Sequence, residues 1–247
     1  MARTTLLIKS GNLFFRFRNA LFPIFIVCVF LFTRPAYFLR SEPLDTIAVA
    51  MGIMVALAGQ ALRLLVIGFA YIKRGGKDGR VYADTLVSEG FYAHVRNPMY
   101  IGNFLILVGV GIIYGSAWIY LVVVPFFSFV YLSIVVTEEH YLRGRFGAEY
   151  DAYCKRVNRF LPNFRGIRKS LAHFHYDWRK ALRKDYGTFF GVLFGCLATA
   201  LTKQYYFRGI PNNRRAMLAP VALFTLLVLG YLVIRYLKKN NKLQSPA

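Results

Sequence analysis

Residues 100–136 read YIGNFLILVGVGIIYGSAWIYLVVVPFFSFVYLSIVV, a run without one charged side chain. A helix needs only about 20 apolar residues to cross the hydrocarbon core of a bilayer, so the run is too long for a single span. Gly115 and Ser116 interrupt it near the middle. The spacing predicts two apolar helices, 100–114 and 117–136, joined as a tight helical hairpin. Both ends of this hairpin are polar: HVRNP (94–98) leads in and TEEHYL (137–142) leads out. A chain that crosses and returns brings Arg96–Tyr100 to the same membrane face as Glu138, Glu139 and His140.

The rest of the chain repeats the pattern. Of 247 residues, 57% are hydrophobic and 17% charged, whereas about a quarter are charged in an average soluble domain. The apolar excess sits in long runs, 20–33, 46–71, 100–114, 117–136, 187–202 and 216–234. The expected fold is therefore all-α: a multi-pass integral membrane protein with about six transmembrane helices. Orientation follows from Lys and Arg. With the N-terminus inside, 25 of the 32 fall on the cytoplasmic side and 6 on the other, which places both termini in the cytoplasm. The segment 203–215, with Lys203, Arg208, Arg214 and Arg215, is the one basic stretch on the outer side. The net charge of +21 then reads as basic loops facing anionic lipid headgroups, not as a nucleic-acid surface. Cys28, Cys154 and Cys196 are scattered, with neither a disulfide framework nor metal-ligand spacing, so no metal site is expected. Arg16 and Arg18 before LFPIFIVCVFLF resemble a signal peptide, but no small-residue cleavage site follows, so the segment is read as a retained first span.

The polar clusters carry the chemistry. Asn97 suits a helix N-cap and Pro98 the first helical turn. Tyr100 suits a membrane interface, Arg96 can snorkel, and Gly102, Gly109 and Gly111 suit close helix packing. Glu138 and Glu139 are harder to explain structurally. Negative charge is disfavoured at a helix C-terminus and near an anionic leaflet. With only 11 acids against 32 bases, a paired acid there points to a cationic partner, either Arg96 or a ligand. The following stretch, YLRGRFGAEYDAYCKRVNRFLPNF, places Tyr150, Tyr153, Val157 and Phe160 on one stripe, with Lys155, Arg156 and Arg159 off it. That spacing predicts an amphipathic helix at the interface.

LVSEGFYAHVRNPMYIGN, a hairpin, then TEEHYLRGRFGAEYDAYCKRVNRFLP resembles the isoprenylcysteine carboxyl methyltransferase and phospholipid methyltransferase family. The resemblance rests on Leu86, Val87, Gly90 and Tyr92; on Arg96, Pro98, Tyr100 and Gly102; on Glu138 and Glu139; and on Phe146, Gly147, Tyr150, Tyr153, Arg156 and Pro162. Asn97 stands where many members have histidine, and asparagine does not titrate near neutral pH. The resemblance implies S-adenosylmethionine as cofactor, with Tyr92, His94, Arg96, Asn97, Pro98, Tyr100, Gly102, Glu138 and Glu139 around it. Arg96, Glu138 and Glu139 are the catalytic candidates, and Arg63 and Arg156 face the substrate, a membrane lipid or lipidated acceptor. A guanidinium suits the cofactor carboxylate, a glutamate its ammonium or ribose, and an aromatic face its sulfonium. An amine acceptor would need Glu138 or Glu139 to take its proton; a carboxylate acceptor needs no base. The chain then divides into an N-terminal helix and loop (1–45), a methyltransferase core (46–163), and a basic interfacial segment with two further spans (164–247).

In that last region His173 and His175 lack the further ligands of a metal site. RGGKDG (74–79) lacks the ending of a phosphate loop and reads as a flexible loop beside the cofactor. The last two spans have three candidate uses: shielding the active site, admitting lipid, or joining a homo-oligomer. Two rival functions stay open. Sterol-type membrane reductases, which use NADPH, share an Arg-x-Pro-x-Tyr-x-Gly element but continue with an acid where Asn103 stands here. A non-catalytic lipid-binding protein would explain the basic loops but not Glu138–Glu139. The host membrane expected is a bacterial inner membrane or the endoplasmic reticulum.

Overall fold

The computed structural model describes residues 2–69, 74–77, 80–210 and 214–244. Among the described residues, helix is the dominant element, beside one small ribbon. The helices are α1 (Ala2–Phe32), α2 (Glu42–Phe69), α3 (Pro98–Tyr114), α4 (Val124–Arg156), α5 (Ile167–Leu171), α6 (Trp178–Arg208) and α7 (Arg214–Lys239). By length and composition four segments among the described residues can cross a membrane: Glu42–Phe69, Ile119–Arg156, Trp178–Arg208 and Met217–Lys239. Pro98–Tyr114 is a shorter apolar helix. These cover five of the six expected segments, and the first, 20–33, falls in the C-terminal part of α1. The glycine-rich stretch expected to be a flexible loop is instead half of an antiparallel ribbon. Strand β1 (Arg74–Lys77) pairs with β2 (Arg80–Ala83) in the register Arg74↔Ala83 to Lys77↔Arg80. Positions 78 and 79 of that stretch lie outside the described residues.

The break between α3 and α4 falls where expected. α3 ends at Tyr114, and Gly115 takes φ +77°, which a side chain rarely adopts. A π-helical turn, Ile119–Val123, then precedes α4. Pro125 accounts for it, because a proline ring clashes with the carbonyl one regular turn earlier and cannot donate to it.

The chain forms two compact units, neither continuous in sequence: Met1–Thr33, Phe69–Ile101 and Trp118–His175; and Arg34–Gly68, Gly102–Ala117 and Tyr176–Ala247. In the first, α1 packs along α4. Phe25 stacks on Phe126 at 4.7 Å and meets Phe127 edge-on at 5.1 Å. Gly11 lies so close to Ser133 and Thr137 that it leaves no room for a methyl group. α4 is bent at Gly147, whose φ of 49° and ψ of −123° break the helix. Beyond the bend, residues 148–156 carry Tyr150 and Tyr153 into an apolar cluster with Ala83, Leu142 and Val157. That stripe is the one the sequence predicts. The helix stops at Arg156, however, and Val157 is extended (φ −121°, ψ 129°), so helical spacing does not reach Phe160.

A side chain at Gly147 would touch nothing within 4 Å. Gly147→Ala therefore meets only a conformational penalty. We expect a loss of about 1–3 kcal/mol, the cost of holding a residue with a Cβ in a sparsely populated positive-φ conformation, read as a lower thermal unfolding temperature in detergent. Unchanged stability would show that the bend places no demand on that residue.

In the second unit α2 and α3 cross through facing glycines. A Cβ at Gly59 would lie 2.6 Å from the Gly102 carbonyl oxygen, and one at Gly52 would lie 2.7 Å from that of Gly109. Small residues at such a crossing let two membrane helices approach closely. α6 and α7 meet through Phe190–Tyr231 at 5.7 Å and Phe194–Phe224 at 5.5 Å. The buried Lys203 donates to Asp45 at 2.6 Å and to the Ile113 carbonyl at 3.0 Å. Arg208 pairs with Glu42. Lys203 and Arg208, two of the four cations expected on the outer side, are thus paired with acids.

Candidate active site

The expected meeting of the hairpin's two ends occurs within the first unit. Pro98 opens α3 and is fully buried. Just before it, the Arg96 backbone N–H donates to the Asn158 carbonyl at 2.9 Å, which fixes this turn against the segment following α4. Arg96 Nη1 then reaches Glu139 Oε1 at 3.2 Å and donates to Cys154 Sγ at 2.7 Å. Arg159 grips the same glutamate with two prongs, Nε to Oε1 at 3.0 Å and Nη2 to Oε2 at 2.6 Å. This bond holds the Arg159 guanidinium protonated even more firmly than usual. Glu139 is 4% exposed. A carboxylate that deep in the protein is stable only when paired and hydrogen-bonded. One turn away Tyr100 donates to Glu138 Oε1 at 2.9 Å, and its ring sits 5.8 Å from that of Tyr131.

The node has one unsatisfied donor. Arg96 Nε is buried without a hydrogen-bond partner among the described residues. A buried N–H left unmade costs roughly 1–3 kcal/mol, more when charged. An anionic group placed against Arg96 would remove that cost, so the donor set fits the carboxylate of the cofactor implied by the sequence. Glu138, half-buried, offers an acceptor for a cationic group, and Tyr100 and Tyr131 offer aromatic faces.

The remaining expected residues are placed as follows. Asn97 donates from Nδ2 to the Arg159 carbonyl at 3.3 Å, so its side chain ties α3 to the post-α4 segment. His94 has both ring nitrogens engaged, Nδ1 with the Asn163 carbonyl at 2.5 Å and Nε2 with Ser170 Oγ at 2.9 Å. Facing a carbonyl, Nδ1 must carry the proton, so Nε2 accepts from the serine hydroxyl. Tyr92 accepts through its carbonyl from Tyr153 Oη at 2.7 Å. Gly102 sits at the α2–α3 crossing in the second unit. Arg63, also in the second unit, is tied to Asp185, Asn103 and Thr188, with Gln60 donating to the same aspartate at 2.9 Å. Arg156 is exposed.

Two members of the site were not singled out from sequence. Arg159 was assigned to the polar side of a helix that ends three residues earlier, so its direction could not be read from helical spacing. Cys154 carried no signal beyond its one-residue distance from Tyr153. Among the described residues no group of three or more His, Cys, Asp or Glu side chains is placed to hold a metal ion.

Residues 47–149 match the phospholipid methyltransferase family. The matched stretch contains Arg96, Tyr100, Glu138 and Glu139 and ends just past the Gly147 bend. This stretch, under half of the chain, is similar to that family. Among individual methyltransferase relatives, the protein-S-isoprenylcysteine O-methyltransferase of Schizosaccharomyces pombe is 38% identical over 81 residues, 31% of this chain and 33% of that protein. The nickel-cobalt-cadmium resistance protein NccN of Alcaligenes xylosoxydans xylosoxydans is 32% identical over 91 residues, 36% of this chain and 42% of its own length. The cobalt-zinc-cadmium resistance protein CzcN of Cupriavidus metallidurans is 32% identical over 79 residues, 32% of this chain and 36% of its own. The chain thus spans well under half the length of these curated relatives. No solved structure matches it significantly.

Proposed function

We propose that this chain transfers a methyl group from S-adenosylmethionine to a carboxylate on a lipidated or lipid acceptor within the membrane. The observation that carries the reading is the Arg96–Glu139–Arg159 node with Arg96 Nε left over, two of its three residues lying within the family's matched stretch. When bound, S-adenosylmethionine supplies an electrophilic methyl group on a sulfonium.

The protein's part is binding, alignment and exclusion of water, the main demands of an in-line displacement. Arg96 would hold the cofactor's carboxylate, with Arg159 and Glu139 fixing the guanidinium plane. Glu138 would receive the ammonium, and Tyr100, anchored to Glu138, would set the aromatic wall. Pro98 and Asn97 position Arg96 at the start of α3. Both oxygens of Glu139 are committed to guanidinium donors, and taking a proton would break those bonds. It is therefore poorly placed as a base, which favours a carboxylate acceptor over a phospholipid amine. Arg63 and Arg156 remain our candidates for binding the acceptor; with both termini read as cytoplasmic, the node would face the cytosol.

Titration of the purified full chain in detergent with S-adenosylmethionine tests the reading. Saturable binding is expected, weakened about 10-fold or more in Arg96→Lys, which keeps the charge but loses the planar fork. NADPH binding in its place would indicate a reductase, and binding of neither would overturn the proposal. Product analysis should then find one added CH2 on a carboxylate-bearing lipid.

A further inference from the structure

A cleft lies in the first unit, between α1 and the part of α4 before its bend. It encloses about 960 Å³ and is lined from α1 by Ile8, Lys9, Asn12, Leu13 and Arg16. From α4 it takes Thr137, His140, Tyr141, Gly144 and Arg145. Three of these side chains are cations, one is a histidine and none is acidic. Lys9, Arg16 and Arg145 are exposed, and the ion pairs formed among the described residues involve other cations. Arg145 lies over the Phe146 ring at 5.8 Å and Arg16 over Phe17 at 5.5 Å, contacts that hold the guanidiniums without neutralising them.

Position selects the kind of anion. On α4 the cleft begins at Thr137, the residue after the apolar run 117–136; on α1 it ends at Arg16, just before the apolar segment 20–33. Both helices therefore place the cations at the edge of their lipid-embedded stretches, with Ile8, Leu13 and Tyr141 offering apolar surface beside them. A free phosphate would use only the cations; a lipid would use both. Basic side chains at this depth attract anionic headgroups. We propose that the α1–α4 cleft binds the phosphate headgroup of an anionic membrane lipid, held by Lys9, Arg16 and Arg145. The site lies on the face of α4 next to the one presenting Glu138 and Glu139, and it does not depend on the methyl-transfer reading.

The test uses the full chain in nanodiscs of phosphatidylcholine with a minor fraction of phosphatidylglycerol, with lipid retained after detergent extraction read by native mass spectrometry. Retention of phosphatidylglycerol should fall about fivefold for each cation removed across Lys9→Gln, Arg16→Gln and Arg145→Gln. A control carrying Lys155→Gln, Arg168→Gln and Lys169→Gln, with the same change in net charge, should retain it. Equal loss in both sets would mean diffuse attraction to a basic surface and would overturn the proposal, as would no loss in either. Displacement of the lipid by millimolar inorganic phosphate would make this a soluble-phosphate site instead. If the triple variant does not fold, the parent chain decides: phosphatidylglycerol, but not phosphatidylcholine alone, should protect Lys9 from amine acylation, and lack of protection refutes the site.

Discussion

Glu139→Gln is expected to yield a chain that unfolds well below its parent and no longer binds S-adenosylmethionine tightly. The carboxylate faces two guanidiniums, and neither arginine can neutralise itself by releasing a proton. Removing one partner from a buried ion pair costs about 3–5 kcal/mol, because the remaining charge is left uncompensated. The same loss releases Arg96, whose plane must be fixed for the cofactor to align, and a misplacement of this sort lowers turnover by about 100-fold. Thermal unfolding and cofactor titration on one preparation measure both effects. The cycle with Arg159→Gln separates them: removing the second charge should restore part of the stability without restoring binding. A Glu139→Gln chain as stable as its parent would show that the node contributes little to folding.

The second large effect belongs to the other unit. Asp185 is buried and accepts from Arg63 and Gln60, so Asp185→Ala strands a guanidinium inside the helices. Again about 3–5 kcal/mol is at stake, read by thermal unfolding or limited proteolysis. Replacing both partners, Arg63→Met with Asp185→Leu, should recover most of it, since well-packed apolar pairs often replace buried ion pairs at little cost. That double variant also decides what Arg63 does. Stable protein with lost turnover would place Arg63 against the acceptor; stable protein with normal turnover would leave it a tie between α2 and α6.

The helices and the break at Gly115 were legible because apolar run length and glycine position act locally. So was the convergence of Arg96 with Glu139 and of Tyr100 with Glu138, since a chain that crosses and returns has few other options. Arg159 was not legible. Its direction depends on where α4 stops, and no proline or glycine marks that point between Arg156 and Arg159. Gly102 was ambiguous for a different reason: a glycine required for backbone approach to a helix and one required for approach to a ligand look the same in sequence. RGGKDG (74–79) reads as a loop because a four-residue strand carries too few side chains for alternation to stand out.

The node also has a consequence for how the protein is made. Its parts come from residues 96–100, 138–139 and 154–159, so the first arginine leaves the ribosome before the second. Until then Glu139 faces Arg96 alone. The node is thus completed only after α3 and α4 have been made, and a chain stalled before Arg159 would hold those two helices without it.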